Sequence, residues 1–310
     1  MTFPRILVSC ALVLCAACAG SSSSAPIDPP SGGSSGESSS GGGGSSGSSG
    51  ATADGGGSSS GGDGGGPSTT AGCAAPPAAA GLAKKTLDVA GTQRRYQVFV
   101  PSGYDGKRPL RLVFLFHGLG GDGDQIRSYF SFETEAAGQA IFVYPEGVAQ
   151  SSVGGATGWG FEDLPFFDAL LSAVQASYCV DSKRVFAAGH SFGGYMSNLV
   201  GCSRGDVVRA IAPVSGGMVT PGACKGPVAA WLAHGDKDNT VATSEGIAAR
   251  DRWVATNECA KTTKPATPSP CVTYDGCKAG RPVTWCQFSG GHFPLPAFTR
   301  QAIWDFFASF

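Results

Sequence analysis

Charge is scarce in this chain. Asp, Glu, Lys and Arg make up 15% of its 310 residues, where soluble domains average about a quarter, and neither sign gathers into a block. The balance is even, 22 basic against 23 acidic residues, so the chain has no electrostatic footprint for a nucleic acid. Histidine is scarcer still, with four copies that are not spaced as metal ligands. No CxxC pair occurs, so the 11 cysteines do not read as a zinc site. Neither a metal nor an organic cofactor is expected. Long apolar runs are missing as well: the stretch from Ile6 to Ala17 is shorter than a membrane span requires.

That stretch follows a single arginine and precedes small residues, so residues 1–19 read as an export signal. Two processing outcomes compete. One is cleavage at an A-x-A-like site after Ala19; the other is cleavage before Cys18 with lipidation of that cysteine, because "LCAAC" resembles a bacterial lipobox. A lipobox more often has leucine where this chain has Cys15. The lipoprotein reading is preferred, giving an exported bacterial protein, secreted or held at the cell surface by an outer-membrane lipid anchor. Removing Cys10, Cys15 and Cys18 leaves Cys73, Cys179, Cys202, Cys224, Cys259, Cys271, Cys277 and Cys286. An even number in an exported chain argues for disulfides, with the pairing left open.

Residues 20–72 are mostly Gly and Ser and cannot bury enough apolar surface to offset the entropy of ordering. They are expected to form a tether with an r.m.s. span of roughly 40 Å, or simply a solubilising spacer. Residues 73–310 suffice for one domain and not for two, and a monomer is expected.

Within that domain short apolar runs alternate with segments of helical period. "RRYQVFV" reads as an early, partly exposed strand, "LRLVFLF" as a buried parallel strand running into "HGLGGDG", and Asp124 to Gly138 as a helix. Further strands are expected at "AIFVYP", "RVFAAG", "RAIAPVSG", "VAAWLAHG" and "PVTWCQF". Helices are expected at "DLPFFDALLSAVQASY", "FGGYMSNLVGCS", "SEGIAARDRWVAT" and "AFTRQAIWDFFASF". The cysteine- and proline-bearing segment Glu258 to Arg281 reads as a disulfide-pinned loop or small hairpin. Alternation of this kind implies an α/β fold with a mostly parallel central sheet and helices on both faces.

"FAAGHSFGGYM" places Ser191 in a GxSxG string between an apolar strand and a helix, the setting of a nucleophile elbow. Gly189 and Gly193 would permit a strained turn there. The N–H of Phe192, at the helix start, could donate to an oxyanion, with Leu119 in the glycine-rich "HGLGG" loop as second donor. A serine hydroxyl needs a base. His190 is next to Ser191 and should point away from it, and His117 and His234 close apolar strands. Only His292, in "FSGGHFPLP", comes late enough for the order Ser, acid, His. "HGDKDNTV" offers Asp236 and Asp238 as the acid, which spacing alone does not separate; Asp206, Asp251 and Asp275 rank lower.

From about Arg95 to Phe310 the chain resembles the exported feruloyl esterases and the neighbouring polyhydroxybutyrate depolymerases, within the α/β hydrolases. The likeness rests on "VPSGYD", "FHGLGG", "IFVYPEG", "FFDALLSAVQASYCVDSKRVFAAGHSFGGYMSNLVGC", "RAIAPVSG", "HGDKDNTV" and "GRPVTWCQFSGGH". The family pattern HGxxDxxV implies Asp238 as the acid, alongside Ser191 and His292. Ala242 stands where members often have proline. The resemblance also implies aromatic residues near the substrate, with Trp159 of "TGWGFED" the candidate and a plain core tryptophan the alternative. The implied activity is hydrolysis of hydroxycinnamate esters on a plant-type polysaccharide through an acyl-enzyme. A polyester depolymerase, an acetyl xylan esterase and an inactive tethered carbohydrate-binding protein are the alternatives.

Overall fold

A computed structural model describes residues 68–219 and 222–310. The expected export signal, the Cys18 anchor and the tether up to residue 67 lie outside the described residues. The fold is already packed at Ser68, ahead of the expected boundary at Cys73. The Ser68 N–H donates to the Asp181 carboxylate at 3.2 Å and the Thr70 hydroxyl to the Tyr178 carbonyl at 2.9 Å. The Gly/Ser composition ends later in the sequence than the contacts begin.

Twelve strands and six helices follow in the order β1 (Gly81–Val89), β2 (Thr92–Val100), β3 (Leu110–Phe116), α1 (Gly123–Phe130), α2 (Phe132–Ala136), β4 (Ala140–Pro145), β5 (Val148–Ala149), β6 (Thr157–Gly158), α3 (Leu164–Ser177), β7 (Val180–His190), α4 (Phe192–Ser203), β8 (Ala210–Val214), β9 (Ala229–Gly235), α5 (Thr243–Thr256), β10 (Thr263–Pro265), β11 (Val272–Tyr274), β12 (Val283–Phe288) and α6 (Thr299–Ala308). Strands β5 and β6 pair only with each other. The other ten form one sheet in the order β1-β2-β4-β3-β7-β8-β9-β12-β11-β10. Its centre, β4-β3-β7-β8-β9-β12, is parallel and its outer pairs antiparallel.

The central strands are apolar on both faces because helices cover both. On β3, Leu112, Phe114 and Phe116 point into the core under α3, α4 and α5, with Phe166, Leu170, Leu199 and Trp253. Val113 and Leu115 point the other way, into the core under α1, α2 and α6, with Phe130, Phe132, Trp304 and Phe307. This is the two-residue alternation of a strand. It explains why "LRLVFLF" reads as an unbroken run.

Three elements differ from the sequence expectation. Strand β1 reads weakly because it is an edge strand whose Lys84 and Lys85 are exposed; it returns through Ala90 and Gly91, both at positive φ, as a tight hairpin requires. Strand β2, expected to be partly exposed, is largely buried between β1 and β4. The single helix expected over 124–138 is two helices, broken at Ser131 in the left-handed region (φ 49°, ψ 32°). The break lets Phe130 and Phe132 stack at 4.9 Å in one core. Residues two apart on a continuous helix face different ways.

All eight cysteines of the domain are paired: Cys73–Cys179, Cys202–Cys224, Cys259–Cys277 and Cys271–Cys286. The last two pin the hairpin β10–β11, as expected for Glu258 to Arg281. Cys73–Cys179 spans 106 residues and Cys271–Cys286 spans 15. If loop entropy governs, removing the first costs roughly 4–5 kcal/mol and removing the second about 3. Denaturant midpoints of the two double-serine variants check this ordering; equal losses would contradict it.

Candidate active site

Four parallel strands end on one side of the sheet, where open α/β sheets place their sites. Loop 117–121 follows β3, Ser191 follows β7, Asp238 follows β9 and His292 follows β12.

Ser191 takes up a backbone conformation that few side chains adopt, φ 59° and ψ −121°. Such strain costs on the order of 1–3 kcal/mol and persists only where the surroundings enforce it. Here the Ser191 N–H donates to the Val214 carbonyl at 2.9 Å, while the Ser191 carbonyl accepts from Gly194 and Tyr195. The flanking glycines serve a different need from the one expected. Neither Gly189 nor Gly193 has positive φ. A Cβ on either would run into backbone, of Gly193 and Phe116 respectively, so they allow β3, β7 and α4 to approach while Ser191 itself carries the strained turn.

His292 and Asp238 are both buried, 7% and 5% exposed. They are joined by a 2.7 Å hydrogen bond between Nδ1 and Oδ2. A carboxylate only accepts, so Nδ1 carries the proton and Nε2 keeps a free lone pair for use as a base. Asp238 Oδ1 accepts from the amides of Thr240 and Val241, each at 2.9 Å. Burial alone would raise the Asp238 pKa, but the hydrogen bond from His292 and those from Val241 and Thr240 outweigh it and hold the group below its ordinary value. Asp236 does not reach His292. It accepts from the Gly290 amide at 3.0 Å and thereby ties down the loop that bears His292.

The other three histidines support this arrangement. His234 Nε2 donates to the Val241 carbonyl at 2.9 Å and lies 3.3 Å from Asp238 Oδ2. His190 points away from Ser191, as expected, and its Nε2–H donates to the backbone carbonyl of His292 at 3.1 Å, with the two rings 4.6 Å apart. His117 Nδ1–H donates to Gly118 O at 2.7 Å and its Nε2 accepts from Gly147 at 2.9 Å. Burial lowers the pKa of all three, that of His190 to about 3, so they remain neutral at pH 7.

Leu119 sits at the exposed tip of its loop, 48% accessible. The preceding Gly118 abuts Ser191: a Cβ built there would lie 3.6 Å from the Ser191 Cβ. Phe192 is the first residue of α4, where helix amides have no intrahelical acceptor. Trp159 is 6% exposed, and its indole N–H donates to the His117 carbonyl at 2.9 Å. It thus braces the loop after β3, but one side of it also lines a cavity of about 230 Å³ shared with Phe161, Phe192, Tyr195, Met196, Leu199 and Val219. Among the described residues no charged side chain lines this cavity. Burial, first, with Glu245 and Asp238, pushes the Tyr195 hydroxyl up to about 12, so it stays a donor. A larger cleft of about 560 Å³ lies at the opposite end of the sheet, by Asp181 to Arg184 and Phe310, away from all these groups.

No family model matches the chain. It is 33% identical to feruloyl esterase D of Neurospora crassa over 252 residues, covering 73% of this chain and 85% of that protein. The chain belongs to the feruloyl esterase family. It is also 34% identical to feruloyl esterase C of Emericella nidulans over 231 residues, 69% of this chain and 83% of that one. Two solved structures share its fold. An acetyl xylan esterase from Aspergillus awamori has a TM-score of 0.55 at 14% identity, over 73% of this chain and 99% of that one. The feruloyl esterase module from Clostridium thermocellum complexed with sinapinate has a TM-score of 0.53 at 15% identity, over 79% and 92%. The fold is that of the α/β hydrolases, and this member of the feruloyl esterase family is a carboxylic ester hydrolase.

Of the cavity wall only Trp159 was expected from the sequence; the α4 side chains Phe192, Tyr195, Met196 and Leu199 were not, although a signal existed. Once α4 starts at Phe192, residues 192, 195, 196 and 199 fall on one helical face. The parts played by His190 and His234 carried no signal, since the His190 contact spans 102 residues.

The folded His190 pKa of about 3 lies below its ordinary 6.5, so between these values the unfolded chain binds the extra proton. Its stabilising contribution is complete above about pH 6.5 and is lost as pH falls towards 3. Thermal midpoints should drop between pH 7 and pH 5, and less steeply in His190→Phe, which should also lower kcat about tenfold by freeing the His292 backbone. An unchanged slope and kcat would contradict this role.

Proposed function

We propose that the protein is an exported serine esterase that hydrolyses hydroxycinnamate esters of plant cell-wall polysaccharide. The observation that carries the acyl group is the uncharged, aromatic-lined cavity beside Phe192. A planar ring suits such walls, with the Tyr195 hydroxyl as a polar handle, whereas an acetyl or short aliphatic acyl group would leave most of the cavity unfilled. The names of the curated relatives support the same substrate class. Four disulfides support a site of action outside the cell; residues 1–19 would direct export, with or without an anchor at Cys18.

In the mechanism that follows, Ser191 attacks the ester carbonyl while His292 Nε2 takes its proton. Asp238 stabilises the imidazolium and fixes the tautomer. The amides of Phe192 and Leu119 donate to the oxyanion, an interaction commonly worth a few kcal/mol per donor. The alcohol leaves with the proton from His292. Water activated by the same nitrogen then attacks the acyl-enzyme, releasing the acid and restoring Ser191.

Methyl ferulate, a 3-hydroxybutyrate oligomer and an acetylated xylo-oligomer distinguish the acyl groups. Methyl ferulate should be cleaved with the highest kcat/KM; turnover of the aliphatic oligomer alone would refute the reading. Asp238→Asn should cut kcat by about 10⁴, and Asp236→Asn by far less. Equal losses would remove Asp238 from its role.

A further inference from the structure

The cavity that suits an acyl group lies on the α4 side of Ser191. On the other side, Phe293 follows His292 and is 62% exposed. Its ring lies edge-on to the His292 ring at 4.9 Å and 4.7 Å from that of His190. Beyond it opens a cleft of about 350 Å³ walled by Tyr129, Pro294, Leu295, Pro296, Ala297 and Arg300. Tyr129 is continuous with the site, its ring 5.0 Å from His190 and 6.0 Å from Phe293.

The two polar side chains of this cleft are both donors. The Tyr129 hydroxyl is enclosed and, among the described residues, has no hydrogen-bond partner. Burial pushes its pKa far above the ordinary value, against the opposing charge of Arg300, so it keeps its proton. Among the described residues Arg300 has no ion pair, and it is exposed. Among the described residues no carboxylate lines the cleft. A wall of proline, leucine and phenylalanine beside a lone guanidinium matches a ligand with apolar C–H faces and one anionic, acceptor-rich group. A guanidinium fork fits a carboxylate in geometry as well as charge.

We propose that this cleft is the alcohol-side subsite and takes an acidic sugar, a uronosyl residue whose carboxylate meets Arg300 and whose ring lies against Phe293. The preferred polymer is then a uronate-bearing polysaccharide, not a neutral one. This assignment rests on the esterase reading above only for the direction of the chain; the binding itself needs no turnover.

Calorimetry on the full chain with a galacturonate trimer and with xylotriose reads the binding directly. The acidic trimer should bind roughly tenfold tighter than the neutral one, and Arg300→Gln should remove that margin, as expected for one charge-assisted contact. Raising the salt should weaken the acidic trimer in the wild type and have little effect in the variant. Equal binding of the two trimers, binding of neither, or an unchanged affinity in Arg300→Gln would overturn the proposal. For the alcohol side, Arg300→Gln should lower kcat/KM on a feruloylated acidic oligosaccharide by roughly tenfold relative to methyl ferulate. An unchanged ratio would place the cleft outside the reaction path, whereas failure to cleave methyl ferulate at all would count against the esterase reading alone.

Discussion

A buried carboxylate is costly unless its oxygens are satisfied, and Asp238 is satisfied from every side. His292, Thr240 and Val241 donate to it, with His234 Nε2 at 3.3 Å as a fourth contact. The two amides and His234 belong to β9 and its loop, so they fix the carboxylate to the sheet. His292 belongs to the loop after β12, so the same carboxylate fixes its imidazole. The parallel pairing of β9 with β12, in register from Ala230 and Val283 to Gly235 and Phe288, brings the two loops together. Asp236 and the Lys237 amide then bind Gly290, one through its N–H and the other through its carbonyl. Hydrogen bonds to charged groups contribute about 1.5–3 kcal/mol each. Loss of one donor would leave the carboxylate under-solvated, and loss of the carboxylate would leave His292 without its orienting partner.

The serine side is held by steric closeness instead of charge. Gly189 and Gly193 permit the backbones of β3, β7 and α4 to meet where no Cβ would fit. That packing forces the turn at Ser191 and brings loop 117–121 beside it. His117 and Trp159 link this loop to the short β5–β6 ribbon. The buried Arg94–Asp163 pair at 2.6 Å anchors the same end of the ribbon, through Glu146 O and the Gly160 amide. His190 joins the two halves, being the last residue of β7 and holding the His292 carbonyl.

The parallel core was legible in the sequence because its strands are apolar on both faces and end in glycine-rich loops. Strand β1 was not, since an edge strand with Lys84 and Lys85 needs no apolar alternation. The break at Ser131 depends on where Phe130 and Phe132 pack, which no local pattern records. Ser191 stood out through its strand–turn–helix setting and His292 through its late position. Asp236 and Asp238 could not be separated by spacing, because both follow β9 within one loop; only the contacts show one gripping a backbone amide and the other a histidine. Disulfide pairing is likewise a matter of tertiary proximity, and Cys73 meets Cys179 across 106 residues.

The proposed chemistry depends on Ser191 being an activated nucleophile. A fluorophosphonate probe followed by peptide mass spectrometry tests this most directly, since it reads covalent reaction at one side chain without assuming a substrate. A single adduct on Ser191, suppressed in His292→Ala, is the predicted result. An unlabelled but correctly folded protein, or an adduct on another residue, would contradict it.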